Sequence, residues 1–581
     1  MVVAVLAAGS PAAAQTGNAD PIMPLGEVER DMKCTGYSVF RETAIASFDV
    51  QVIDIVGGGQ DGARILVRLS GEAVDGTGVG PGFSGSPFYC PGSDGRMKNA
   101  GAISETIGEF GGKTVLATPT ESIVSNPPDA PGPKQPTPPT ARSASRTGTG
   151  PNQEVRRRFP GARRMATPLT IGGLDQRIFG LVRQIAARQG RTVLQAPQVP
   201  ARQSQAAPGN PLRPGSAVSI GLSSGAVSIG AVGTVAYTDA EKVWSFGHPF
   251  DGVGPRALIL QDAYVAAIIS NPNAGGEAGS TYKLAGALSD LGSVGNDAFS
   301  AVVGRVGGLP PITPVRIFTR DLDTGADQST EVKVADETDA GTPIGVSPLS
   351  IVGPLAITQA GTETMRSAPT RVAGTMCVQI TLRERPKPIR VCNRYVSDGT
   401  SPAPGGLGNL VALRAGSDVA EMLALLDAYR PSNLHVTELA ARLTLERGQR
   451  QAFMRKIRLP RRVRPGQVVP VKLDVQVVRG PKRTLTFKAR IPRSTGRGLR
   501  SLTFRGEDPD LADDFGGLTI TLGGEDEEED TTGPRTLKEL VREIRKVERY
   551  DGIRIGKSGL RFYKHPELRI GGRASTDVDV R

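Results

Sequence analysis

The sequence predicts a mainly β protein: two β-rich sequence halves, then β-sandwich-like modules with a few helices. Two observations carry the β assignment, and a third the division into modules. The chain has 73 glycines and 45 prolines but only 4% aromatic residues, a balance suited to short strands joined by many turns and not to a helical bundle. Stretches such as Val471-Lys472-Leu473-Asp474-Val475-Gln476-Val477 alternate apolar and polar residues, the period of a half-buried strand. At 581 residues the chain exceeds what one core supports, which implies about three or four domains.

In chain order, residues 1–20 read as the remnant of a signal peptide. An apolar run from Met1 to Ala8 leads to Ala12-Ala13-Ala14, a small-residue cleavage pattern, so export is expected. Residues 21–126 form a first β-rich half that includes the strand Ala63–Leu69. Residues 127–165 are rich in Pro, Ser, Thr and Arg with almost no large apolar residue, the composition of an unfolded linker. Residues 166–320 form a second half, with an amphipathic helix near Ile178, Leu181, Val182 and Ile185 and a strand over 228–237. A β-rich module is expected at 321–405 and a β-sandwich-like one at 406–524. The latter holds a helix over 417–429 with Ser417 as N-cap, and strands at 471–477 and 485–491. An acidic linker at 525–533 precedes the last segment, 534–581, whose helix over 534–549 carries Pro534 in its first turn.

No later run approaches 18 apolar residues, so no membrane span is expected. The net charge of +12 gathers at Arg156–Arg164 and Arg455–Arg464. Without a recognition motif or interleaved aromatics these runs argue against nucleic acid; they read as solvated surface, with an anionic cell-envelope polymer as the other partner of that charge. Four cysteines suit an oxidising compartment. Cys377 and Cys392 flank a hairpin, and Cys34 and Cys90 share the first half, yet four cysteines allow three pairings and the sequence does not choose among them. No cofactor motif is present, and no Cys/His spacing offers a tetrahedral metal site.

Two motifs carry chemistry. Gly82-Phe83-Ser84-Gly85-Ser86-Pro87 follows the first-half strands, and its glycines allow a tight turn that projects a serine hydroxyl. Trp244-Ser245-Phe246-Gly247-His248-Pro249 closes the strand pair of the second half with one of only three histidines. Together with Arg68-Leu69-Ser70-Gly71 and Lys33-Cys34-Thr35-Gly36, these motifs resemble the SpoIVB family of serine peptidases, the sporulation stage IV B type. The resemblance covers residues 22–126 and 212–316. It implies a trypsin-like double β-barrel split into two sequence halves, an exported serine endopeptidase acting on protein or peptide substrates, Ser84 as nucleophile and His248 as base. The amides of Gly82 and Ser84 would hold the oxyanion.

Two departures from the family are plain. Ser84 precedes His248, the reverse of the family's order, which a triad tolerates because it is set by geometry. Ser70 stands where the family has its acid, so Asp297 is the first replacement candidate, with Asp251 and Asp262 behind it. Ser70, with Pro81 beside the turn, also favours the competing expectation: a catalytically lapsed peptidase fold acting as an envelope-associated binding or scaffold protein.

Overall fold

The computed structural model describes residues 19–57, 62–107, 112–129, 159, 162–165, 167–197, 211–270, 281–342, 344–365, 369, 371–398, 410–506, 533–547, 552–555, 561–563 and 565–581. Most of the expected signal-peptide remnant (1–18), most of the expected linker (130–158) and the acidic run 525–530 lie outside the described residues.

Apolar residues two apart place one face of each early strand inside a barrel. Its strands are β1 (Lys33–Arg41), β2 (Ala44–Gly57), β3 (Ala63–Ser70), β4 (Pro87–Pro91), β5 (Met97–Ile107) and β6 (Thr114–Pro119). They pair in the order β4-β1-β2-β3-β6-β5, and β4 also pairs with β5, so the six-stranded barrel closes. Val50, Val52, Ile65, Val67 and Leu69 point inward and pack with Phe48, Phe83 and Phe88. Closure leaves this barrel no free edge. The disulfide Cys34–Cys90 joins β1 to β4. A short strand, β7 (Ala162–Arg164), adds to β5, so the C-terminal end of the expected linker belongs to this sheet.

The second half opens with β8 (Leu169–Gly172), helix α1 (Gln176–Arg188) and β9 (Val193–Gln195). Asp175 caps α1 by accepting from Arg177 N, and Ile178, Leu181 and Val182 are buried as their spacing predicts. The strands β10 (Ala217–Gly225), β11 (Ser228–Asp239), β12 (Lys242–Ser245), β13 (Gly254–Ile269), β14 (Tyr282–Ala298) and β15 (Ala301–Val306) follow. They pair in the cycle β10-β13-β14-β15-β12-β11, with β11 returning to β10.

The same sheet runs on past residue 320. β10 pairs with β17 (Asp327–Ala335), which pairs with β16 (Ile312–Asp321), then β20 (Val436–Arg447), β18 (Arg371–Leu382) and β19 (Arg385–Asp398). Cys377 and Cys392 are directly opposed across β18 and β19 and are bridged. Two helices, α2 (Pro348–Thr364) and α3 (Leu410–Asp427), share one hydrophobic core with this sheet. The chain beyond residue 316 reads as strands, and α2 departs from that reading. Residues Pro348–Gly361 are all buried, so the helix has no polar face for a sequence pattern to reveal. α3 begins seven residues before the expected Ser417 cap; Ser417 lies inside it and donates its hydroxyl to the Leu413 carbonyl.

The C-terminal module is a sandwich. One sheet holds Gln451–Arg458, Val468–Val477, Lys482–Arg490 and Arg569–Gly571; the other holds Arg462–Val463, Gly498–Gly506, Ile553–Ile555, Arg561–Tyr563 and Arg573–Val580. Val471, Leu473 and Phe487 of the first share a core with Phe504, Ile553 and Val578 of the second. The final strands thus complete the module that starts near residue 451. Helix α4 (Leu537–Lys546) is capped by Thr536, which accepts from Glu539 N; Pro534 precedes it. Among the described residues no helix is long and apolar enough to cross a membrane.

The bridges close loops of different length, 56 residues for Cys34–Cys90 and 15 for Cys377–Cys392. Removing them is expected to cost about 4 and about 3 kcal/mol respectively. Guanidinium unfolding of the two paired Cys→Ala variants checks this; a larger loss from the shorter loop would contradict it.

Candidate active site

The serine turn owes its shape to two glycines. Gly82 and Gly85 have φ of +94° and +90°, a region closed to residues with a Cβ. A Cβ on Gly85 would stand 2.0 Å from the Thr234 carbonyl oxygen and 2.6 Å from Phe246 N, so this glycine lets the two halves touch. Within the turn Phe83 N donates to the Gly80 carbonyl (3.0 Å), Ser86 N to the Phe83 carbonyl (2.9 Å) and Gly85 N to the Ile103 carbonyl (2.7 Å). The Gly82 and Ser84 amides make no such bond to a described residue. Ser84 is fully buried; its carbonyl accepts from Thr234 N at 2.8 Å, and its hydroxyl has no hydrogen-bond partner among the described residues.

The histidine turn is built by Phe246 and Gly247, both at positive φ (68° and 67°), directly after β12. For Phe246 this is a strained conformation, held by its N–H donating to the Thr234 carbonyl (3.2 Å) and by burial of its ring. Thr118 donates to the Gly247 carbonyl at 2.6 Å. A Cβ on Gly247 would lie 3.4 Å from the same Ile103 oxygen that receives Gly85 N, so the two turns converge on one carbonyl.

His248 is buried, and its Nδ1 lies 2.8 Å from the Pro249 carbonyl. A carbonyl only accepts, so Nδ1 carries the ring proton and Nε2 presents its lone pair. Nε2 has no hydrogen-bond partner among the described residues. Burial lowers the imidazole pKa to about 4, the Pro249 contact opposing and Arg164 and Arg64 reinforcing the shift. Arg64 itself is held 2.7 Å from buried Glu105.

The structure places the candidate acids elsewhere. Asp297, expected to orient the imidazole, accepts from Phe250 N, Asp251 N and Gly252 N, each at 2.7 Å. It clamps the loop that follows His248, while a backbone carbonyl occupies Nδ1. The reason is local: β14 pairs with β13 so that Asp297 faces Gly254, under that loop. Burial raises the Asp297 pKa, opposed by those amides and by Arg256 at 3.8 Å. Asp251 pairs with Arg256 at 2.8 Å, and Asp262 accepts from Ser289 N. Ser70 ends β3 on the surface.

Lys283 was not among the expected site residues. It is buried on β14, its backbone N–H donates to the Pro81 carbonyl (3.0 Å), and its ammonium stands 4.6 Å from the Phe83 ring centre. Burial lowers its pKa to about 7. The one sequence signal was a lysine followed by apolar and small residues, Leu284-Ala285-Gly286-Ala287, which also fits a surface strand. Comparison with protein-family models, curated proteins and solved structures gave no match.

The depressed imidazole pKa has a thermodynamic sign. The unfolded ring protonates near pH 6.5 and the folded ring near 4, so the stability due to its neutral state is complete above 6.5 and falls as pH drops towards 4. Wild type is expected to lose about 3 kcal/mol more than His248→Gln between pH 7 and 4. Urea unfolding of both proteins across that range checks it, and parallel pH profiles would contradict it.

Proposed function

We propose that the protein is an exported serine endopeptidase of the kind its motifs resemble, with the two barrels as a trypsin-like pair. One observation carries the reading: the Ser84 hydroxyl and His248 Nε2 are buried polar atoms without partners, on turns that touch. Leaving both unpaired costs on the order of 1–3 kcal/mol each, a strain typical of sites kept for chemistry.

In this reading Ser84 Oγ attacks a peptide carbonyl carbon and its proton passes to His248 Nε2. The Gly82 and Ser84 amides hold the oxyanion, and the imidazolium hands its proton to the leaving amine as the peptide C–N bond breaks. Water then hydrolyses the acyl-enzyme with His248 again as base. The Pro249 carbonyl keeps the working tautomer, the task of the acid in a standard triad. Asp297 serves at one remove by fixing the His248 loop. Export rests on the Ala12–Ala14 pattern.

A second reading has its own support. Ser84 and His248 make no hydrogen bond to each other, and both are shielded from solvent. A cleft of about 460 Å³ lies apart from them on the β16, β18 and β20 face, lined by Arg316, Phe318, Gln379, Arg390 and Arg442. That is the picture of a lapsed peptidase fold used for binding, with the exposed Arg455, Arg461 and Arg464 turned to an anionic envelope polymer.

Fluorophosphonate labelling and digestion of an unfolded protein separate the readings. Labelling of wild type, its loss in Ser84→Ala and in His248→Ala, and no further loss of proteolysis in the double variant are expected of the peptidase. Asp297→Asn is expected to cost less than either. Wild type inert to probe and substrate alike would leave the binding protein as the better account.

A further inference from the structure

The buried amine of Lys283 is the head of two hydrogen-bond chains. Its Nζ lies 2.9 Å from Ser38 Oγ and 3.0 Å from Thr234 Oγ1. Ser86 Oγ donates to the Phe83 carbonyl at 2.6 Å, so its single hydroxyl proton is committed there. Ser38 Oγ, 2.9 Å from Ser86 Oγ, must then be the donor between those two, and it accepts from Lys283. Likewise Thr234 donates to the Gly82 carbonyl at 3.0 Å and accepts from the amine. One chain thus runs Lys283–Ser38–Ser86–Phe83 C=O, the other Lys283–Thr234–Gly82 C=O. Lys283, Ser38, Ser86 and Thr234 are all buried, so each link is strong and costly to leave unmade.

The direction of the bonds matters more than their number. In a trans peptide the N–H and the C=O point opposite ways, and none of the described peptides is cis. Lys283 N–H holds the Pro81 carbonyl, which turns the Gly82 N–H away from Lys283. The Ser38–Ser86 chain, with Ser86 N, holds the Phe83 carbonyl and so turns the Ser84 N–H away from that network. These are the two amides that make no hydrogen bond to a described residue. The fit is steric as well: a Cβ on Gly82 would be 2.8 Å from Lys283 Cβ, so side chain and turn are in direct contact.

We propose that Lys283 is the positioning residue of the oxyanion turn, fixing through its main chain and its amine the two peptide planes that aim the Gly82 and Ser84 amides. The inference rests on the peptidase reading for its use, and on the bonds above for its geometry. Lys283 belongs to the histidine half and the turn to the serine half, so the donors of one barrel are aimed from the other.

Full-length Lys283→Met and Ser38→Ala test it by two readouts. In crystals of Lys283→Met the Phe83–Ser84 peptide is expected to be rotated, with the Pro81–Gly82 peptide kept in place by the surviving main-chain bond. The fluorophosphonate labelling rate at its pH plateau is expected to fall by about tenfold or more, approaching the hundredfold that losing one oxyanion donor costs. The acid limb near pH 4 should stay where His248 puts it, which separates a misaimed donor from a lost base. Ser38→Ala cuts one chain only and is expected to act in the same direction to a smaller extent; it carries the test if Lys283→Met does not fold. Unchanged peptide planes, or plateau rates within about twofold of wild type in variants that fold, would overturn the proposal. Should wild type fail to label, the peptidase reading falls, and the peptide orientation alone decides this one: rotation in the variants supports it, no rotation refutes it.

Discussion

Much of the candidate site hangs on Thr234, whose polar atoms all bridge the two turns. Its N–H holds the Ser84 carbonyl, its carbonyl holds the Phe246 N–H, and its hydroxyl holds the Gly82 carbonyl. One residue of β11 therefore ties the serine turn of the six-stranded barrel to the histidine turn of the second half. Gly85 makes this possible, because any side chain there would meet the Thr234 backbone. Thr118, which donates to the Gly247 carbonyl, adds a second tie between the first half and the histidine turn. A backbone clamp of this kind also accounts for the strained φ of Phe246, which local sequence alone would not adopt.

At His248 and Asp297 themselves the protein supplies backbone dipoles where a triad would pair the imidazole with an acid. Pro249 offers the imidazole a carbonyl dipole in place of a carboxylate, and three amides meet the Asp297 carboxylate. Dipoles are fixed by the fold and keep their sign at every pH, whereas a carboxylate partner would titrate. Burial does most to keep His248 neutral, and Arg164 and Arg64 add to it.

Much of this was legible in the residue order. The glycines of the serine turn, the Gly-His pair and the alternating strands all depend on local backbone rules, and the structure realises them. The role expected of Asp297 was not readable, because it depends on the β13–β14 register, and register is a property of two strands. Helix α2 was hidden for a different reason: buried on every side, it carries no periodic contrast between apolar and polar positions. Ser417 misled because serine serves equally as a cap and as a side chain bonded back to its own helix. Lys283 escaped because its burial comes from a serine turn some two hundred residues earlier in the chain.

The path of the covalent chain has a consequence of its own. Between Ser84 and His248 the backbone passes through residues 130–158, and neither disulfide bypasses that stretch: Cys34–Cys90 lies before it and Cys377–Cys392 after it. On either side the chain is fastened. Trp244 bonds the Asn126 carbonyl, Asn296 bonds the Pro127 carbonyl, and β7 pairs with β5. A single cut in the intervening stretch would yield two polypeptides, serine on one and histidine on the other, held only by non-covalent contacts between the two halves. The protein is in that sense a pair of complementing fragments already joined, and a heterodimer of separately made halves is a state its architecture permits.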